Sequence, residues 1–313
     1  MNNFCTLFDS SYLTRGLALH HSMMEAVEEF TLYLYCFDDL THELLSQLEL
    51  PKVILVSQAE FETPELLAVK PTRTKGEYCW TCTSHIIFDA IERFSLPRIT
   101  YVDADMYFFA DPKVLLDELA EAGGAVLITE HRYTPRYDRS IDCGRYCVQF
   151  ITFVADQRGL TVLDWWRERC IEWCYNRFED GKFGDQKYLD DWTERFSGIH
   201  ILEHPGGGVA PWNVQQLQVT GGPKVSGQPV IFFHYHNLSW YEDDSFITGP
   251  YVMEQPVIDY LYRPYISALR QALASVRGIS PGFKMGLESL PAKKKPFWKK
   301  IEHKLKRKYH AIR

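Results

Sequence analysis

Six short apolar runs punctuate the first half of the chain, and the helix-length stretches between them restrict the possible folds more than any other feature. The runs are NFCTLF (3–8), FTLYLYCF (30–37), KVILVS (52–57), RITYV (98–102), AVLIT (125–129) and VQFITFV (148–154). Between them, apolar residues recur at helical spacing: Leu13, Leu17, Met24 and Val27, then Cys79, Cys82, Ile86, Ala90, Ile91 and Phe94. Asp111-Pro112 reads as a cap and first turn for KVLLDELAEA, which Gly123-Gly124 closes, and a Trp-rich helix follows over 161–178. Alternation of this kind predicts an α/β fold: a mixed, mostly parallel sheet flanked by helices. The Gly- and Pro-rich stretch 204–227 reads as loop, PVIFFHYHNL (229–238) as the last clear strand, and 246–292 as a C-terminal helical appendage. A length of 313 residues fits one large domain with such an extension. The expected divisions are 1–245, 246–292 and 293–313.

Charge divides the chain differently. The formal net charge is −7, but residues 293–313 hold ten Lys or Arg against the single acid Glu302, leaving the other 292 residues at −16. An acidic body argues against nucleic acid as a partner, because that binding requires many neutralised phosphates. The tail KKKPFWKKIEHKLKRKYHAIR would place Trp298, Ile301, Leu305, Tyr309 and Ile312 on one helical face, suited to an anionic membrane surface. No run of eighteen apolar residues and no leader-like N-terminus are present, so the reading is a cytoplasmic protein, peripheral on the inner face of a membrane. Eight cysteines include Cys79-x-x-Cys82, Cys143-x3-Cys147 and Cys170-x3-Cys174; helical spacing in the last pair and no secretory signal favour buried reduced thiols over zinc or disulfides.

RITYV runs directly into Asp103-Ala104-Asp105. Ligands of open α/β sheets collect at the carboxyl ends of strands, and the period of two puts both carboxylates on one side. Oxygen ligands suit Mg²⁺ or Mn²⁺, and such an ion would offset the charge on a departing nucleoside diphosphate.

The string ITYVDADMYFFADP, with the helix TCTSHIIFDAIERF before it, resembles the core of GT-A-fold nucleotide-diphospho-sugar transferases, above all the family of glycogenin and the bacterial lipooligosaccharide galactosyltransferase. TLFDSSYLTRG resembles that family's nucleoside-binding segment, FGDQKYLDDW its Asp-Gln motif and IFFHYHN its late metal-binding strand, in matching order over residues 3–240. The resemblance implies a hexosyltransferase using a UDP-sugar, Mn²⁺ or Mg²⁺, and a glycan or lipid-linked acceptor, with retention of configuration.

Residue by residue, the resemblance makes His234 the third metal ligand beside Asp103 and Asp105, with His236 as an alternative or sugar contact. It stacks Tyr12 on the base, makes Asp9 accept the base N–H, and places Thr6 and Arg15 beside them. Asp185 would contact the donor sugar and Gln186 would lie near the anomeric carbon. Trp212 and Asn213 offer a flat ring and an amide to a sugar. The family's basic residue before the Asp-x-Asp is missing; the region reads TSHII, with His85 nearest, and Arg15 and Lys75 are substitutes. An inverting enzyme would need a carboxylate base among Asp185, Asp243 and Asp244. Two other readings remain open: a nucleotidyltransferase, which lacks its Gly-rich basic signature here, and a glycan-binding or membrane-associated scaffold of the same fold.

Overall fold

Each of the six apolar runs is a strand of one seven-stranded sheet in the computed structural model, which describes residues 2–289 and 311–312. The strands are β1 (Asn2–Phe8), β2 (Phe30–Cys36), β3 (Val53–Val56), β4 (Arg98–Val102), β6 (Val126–Glu130), β7 (Tyr146–Val154) and the short β8 (Ile199–Ile201); β5 (Met106–Phe108) stands outside the sheet. Their spatial order is β3-β2-β1-β4-β7-β6-β8. Only β7 runs antiparallel to its neighbours. Helices cover both faces, which is why β1, β2, β4 and β7 read as continuous rather than alternating apolar runs.

One face packs under the helices Lys75–Phe94 and Gln157–Glu172, around Ile86, Ile151 and Trp166. Local chemistry sets where these helices begin. Thr74 and Glu77 form a reciprocal capping box, and Asp156 accepts the Gly159 N–H. At Gly159 a Cβ would lie 2.1 Å from the Val154 carbonyl, so only glycine lets the helix approach the end of β7 so closely. Trp166 stacks with Phe153 at 6.1 Å and meets Trp192 edge-on at 5.6 Å, and truncating so buried a ring costs about 3–5 kcal/mol.

The other face packs under the helices Leu13–Ala26 and Arg263–Ile279. Residues 246–289, expected as an appendage, share this core: Tyr265 stacks on Tyr235 at 3.7 Å, and Leu261, Leu269 and Val276 lie in one cluster with Leu13 and Leu34. Asp111 does not cap its helix; it accepts the Lys113 N–H, and Pro112 takes the cap position of Lys113–Glu121.

Most of the basic tail, 290–310 and 313, lies outside the described residues. At its end the expected helix is corrected: Ala311–Ile312 is a strand, paired antiparallel with Phe246–Ile247. Ile312 is therefore buried against the protein rather than presented on a helical face. All eight cysteines carry free thiols, seven of them buried, as the reading of reduced core residues requires. Among the described residues no helix is long and apolar enough to cross a membrane.

Candidate active site

At the carboxyl edge of β4 the chain leaves the sheet in a turn closed by the Met106 N–H to the Asp103 carbonyl, at 3.2 Å. Asp103 is tied to the sheet by its own N–H, donated to the Gln149 carbonyl of β7 at 3.0 Å. β5 then pairs antiparallel with Phe232–His234, and the Tyr235 N–H donates to the Asp105 carbonyl at 2.9 Å. This pairing brings in a histidine from the far end of the chain. His234 Nε2 stands 3.1 Å from Asp105 Oδ1 and 3.7 Å from Asp103 Oδ2. Two carboxylates and one imidazole thus converge, with ligand atoms within 4.8 Å of one another, a group that could hold a metal ion.

The cluster is electrostatically self-consistent without an ion. Burial lowers the affinity of His234 for a proton, but the Asp105 charge and hydrogen bond outweigh it and hold the ring protonated well above its usual range. Burial likewise pushes the Asp105 carboxyl up, and the imidazolium reverses that, bringing it to about 2. Asp103, whose desolvation is only partly offset by His234, stays raised. One positive charge sits where two carboxylates meet, and a divalent cation with neutral imidazole can take its place.

β1 ends at the loop expected to hold a nucleoside. Asp9 Oδ1 accepts the Ser11 N–H at 2.8 Å, its other oxygen pairs with Lys75 at 2.5 Å, and Asp38 braces Ser10 through its N–H and hydroxyl. Tyr12 follows, 42 % exposed, with Arg15 4.6 Å from its ring centre. The Asp105 charge first, then desolvation of the hydroxyl, raise Tyr12 to about 12. Thr6 is buried in β1, and its hydroxyl has no partner among the described residues.

The substitutes for the missing basic residue are already engaged. Lys75 pairs with Asp9, and buried Arg15 donates to the carbonyls of Leu238 (3.1 Å) and Ser11 (3.4 Å). His85 is no candidate: burial and Arg167 lower it to about 4, so it is neutral, and it hydrogen-bonds the Thr81 carbonyl within its own helix.

Asp185 is buried and does not cap the 3₁₀ turn Gln186–Asp191 that follows it. Burial first, then the Asp103 charge, raise its carboxyl to about 8, against hydrogen bonds from the backbone and Thr83. The Trp166 indole donates to its carbonyl at 2.9 Å, fixing the turn to the core. The amide of Gln186 donates to the Cys143 carbonyl at 2.7 Å. Asp244 pairs with Arg270, and Asp243 accepts from Ser245.

Trp212 and Asn213 do not present a free ring and amide. Both are buried; the Trp212 indole and one Asn213 N–H donate to the His131 carbonyl, each at 2.8 Å, while the other Asn213 N–H goes to Gly208 and its oxygen accepts from Ala210. The loop composition suggested a sugar platform, but these groups hold the loop itself together. Trp212 instead backs the two histidines, its ring centre 5.3 Å from His234 and 5.5 Å from exposed His236.

Two parts of the site escaped the sequence reading. Gln149, the one uncharged amide in an apolar strand, accepts from His234 Nδ1 at 2.7 Å. Gly286, from the C-terminal segment, lies against the Ser11 carbonyl of the Tyr12 loop.

No family model matches the chain. It is 34% identical over 245 residues to the uncharacterized protein YfnF of Bacillus subtilis (strain 168), spanning 74% of this chain and 80% of YfnF. YfnD of the same organism, also described as uncharacterized, is 29% identical over 296 residues, 91% of this chain and 94% of YfnD. Among solved structures, the galactosyltransferase LgtC in complex with donor and acceptor sugar analogs matches at a TM-score of 0.54 and 11% identity, over 95% of this chain and 99% of LgtC. The bifunctional glycosyltransferase WbbM matches at 0.53 and 13%, over 88% of this chain and 51% of WbbM. At such identities the likeness is one of fold, and that fold is the GT-A arrangement expected from the sequence.

Proposed function

Taking as premise that this chain belongs to the family of YfnF and YfnD, we propose that it is a metal-dependent glycosyltransferase that moves a hexose from a UDP-sugar to a glycan or lipid-linked acceptor. The observation that carries the reading is the meeting of Asp103, Asp105 and His234 beside exposed Tyr12 at the carboxyl edge of the sheet. A nucleotidyltransferase would need a basic Gly-rich loop after β1, and FDSSYLTRG is braced by carboxylates instead.

In this reading Tyr12 stacks on the uracil, Asp9 accepts its N–H and the Thr6 hydroxyl, without a partner among the described residues, lies along the same strand. Asp103, Asp105 and His234 hold Mn²⁺ or Mg²⁺, with the Ala104 backbone between them; the bound cation supplies charge to the leaving diphosphate. Arg15 adds a fixed positive charge beneath Tyr12. Asp185 receives the donor sugar, Gln186 borders the anomeric carbon, and exposed His236 faces the transferred sugar or its acceptor. Trp212 and Asn213 act only as the buried backing of that wall.

Transfer with retention breaks the bond from C1 of the sugar to the diphosphate oxygen and forms one from C1 to the acceptor oxygen on the same face. The acceptor proton passes to the departing diphosphate. Burial, the larger cause of the raised Asp185 carboxyl, remains when a cation offsets the Asp103 charge, and it supports a hydrogen-bonding role over that of an obligatory base.

Residues 1–245 would supply this chemistry, 246–292 would complete its core and support the donor loop, and 293–313 would dock the enzyme on anionic lipid at the inner face of a membrane. A panel of nucleotide sugars assayed by thermal shift with and without Mn²⁺ tests the central claim, because a ligand that binds only the native state raises its stability. A Mn²⁺-dependent shift with a UDP-sugar, followed by slow hydrolysis of that donor, is expected. Binding without any turnover would leave a scaffold; no response to any nucleotide sugar would end the reading.

A further inference from the structure

We propose that Gln149 is a positioning residue for the metal site, holding His234 so that Nε2 is the ligand atom and locking that ring to Asp103. The inference rests on the metal-site reading above. Gln149 sits in the middle of β7 with no exposed surface, where an amide is costly unless its groups are bonded. It grips two of the three candidate ligands at once. Its main-chain carbonyl accepts the Asp103 N–H at 3.0 Å, and its side-chain Oε1 accepts from His234 Nδ1 at 2.7 Å.

Nδ1 must be the donor in this contact whatever the charge of the ring. As imidazolium, His234 carries protons on both nitrogens; as neutral imidazole, a proton held on Nδ1 by Gln149 leaves the Nε2 lone pair facing Asp103 and Asp105. The reverse tautomer would put a proton among the carboxylates and deny the cation its nitrogen ligand. Gln149 Nε2 has no partner among the described residues, so the protein tolerates an unpaired buried donor at this position while using the oxygen on the same group.

The test is Mn²⁺ titration of the full chain in saturating UDP, read from the electron paramagnetic resonance signal of free Mn²⁺. Gln149→Met keeps the volume, removes the acceptor and also removes the orphan donor. Its Kd for Mn²⁺ should rise roughly 10- to 100-fold, and the metal-free protein should melt lower as well, because the buried Nδ1–H loses its acceptor. Gln149→Glu restores an acceptor at the same reach and should return the Kd to near wild type. Gln149→Asn, one methylene shorter, should behave like the methionine variant and serves if that variant folds poorly. In a His234→Ala background the Gln149 substitutions should change nothing further. Wild-type Mn²⁺ affinity in Gln149→Met and Gln149→Asn would overturn this inference and leave the metal reading intact, whereas a wild-type protein that binds no Mn²⁺ would remove the metal reading itself.

Discussion

His234 Nε2 lies 3.1 Å from Asp105 Oδ1, and the same two strands are joined through the main chain by the Tyr235 N–H and the Asp105 carbonyl. The pair is buried, and Asp103 Oδ2 stands 3.7 Å from the same nitrogen, so removing the Asp105 charge costs His234 its short hydrogen bond but leaves it a second carboxylate. Asp105→Asn should therefore lower the stability of the metal-free protein by about 1–3 kcal/mol and, in the same variant, reduce Mn²⁺-dependent donor turnover by roughly 100-fold or more. Thermal melting without metal and a turnover assay with it check both halves. A variant that melts like wild type would mean that the pair is solvated and the site open.

The pH dependence of stability isolates Asp185. Its carboxyl is raised from 3.8 to about 8 by burial and by Asp103, so above about pH 4 the unfolded chain loses the proton that the folded protein keeps. Stability contributed by that proton is complete below the unfolded value and is lost as pH rises toward 8, at up to about 1.4 kcal/mol per pH unit. Asp185→Asn removes this slope. Melting curves of the metal-free proteins from acid to mildly alkaline pH should diverge steadily, the variant gaining; parallel curves would place the carboxyl in water.

How much of this was legible before folding depends on what each feature rests upon. The strands were visible because burial on both faces leaves long apolar runs, and Asp103 with Asp105 because they follow such a run, although a turn after β4 rather than strand alternation brings their carboxylates together. His234 was identified through resemblance alone, since its strand is three residues long and its partner lies more than a hundred positions away. Trp212 and Asn213 misled because composition does not reveal whether a polar group faces a cleft or a neighbouring carbonyl. The Asp185 carboxyl owes its state to tertiary burial, and Ile312 owes its strand to a partner, Phe246, that helical periodicity cannot foresee.

Tyr12 is exposed, next to the carboxylates and supported by Arg15 at 4.6 Å, the geometry of a stacking platform. Tyr12→Ala should weaken UDP binding by about 1–3 kcal/mol, a factor of roughly 5 to 150, while Tyr12→Phe keeps most of the affinity because the ring does the stacking. Isothermal titration with UDP and Mn²⁺ separates them. Equal losses in both variants would assign the contact to the hydroxyl.

Truncation is the wrong probe of the tail, because Ile312 belongs to a strand that pairs with Phe246. Changing Lys293, Lys294 and Lys295 to Gln keeps that strand and removes about 3 kcal/mol of attraction to anionic lipid, roughly a hundredfold in binding. Flotation with phosphatidylserine vesicles should lose the variant and keep the wild type. Equal flotation would discard electrostatic docking.

The segment over the donor loop offers a test that touches no proposed ligand. Gly286 has φ of +78°, and a Cβ there would stand 2.1 Å from the Ser11 carbonyl oxygen and 3.3 Å from Arg15 Nη1. The segment cannot yield easily, since the Glu288 N–H is held by the Trp240 carbonyl at 2.7 Å and its carbonyl by the Glu242 N–H at 3.0 Å. Nor can the loop, whose Ser11 is fastened to Asp9. Gly286→Ala therefore adds about 1–2 kcal/mol of backbone strain to a main-chain overlap and must displace Ser11, with Tyr12 next to it. UDP affinity should fall about fivefold or more. Gly282→Ala, where nothing lies within 4 Å of the added carbon, is the matched control and should bind as wild type. If the two alanine variants bind UDP alike, the C-terminal segment does not support the nucleoside loop, and Tyr12 is placed by its own helix alone.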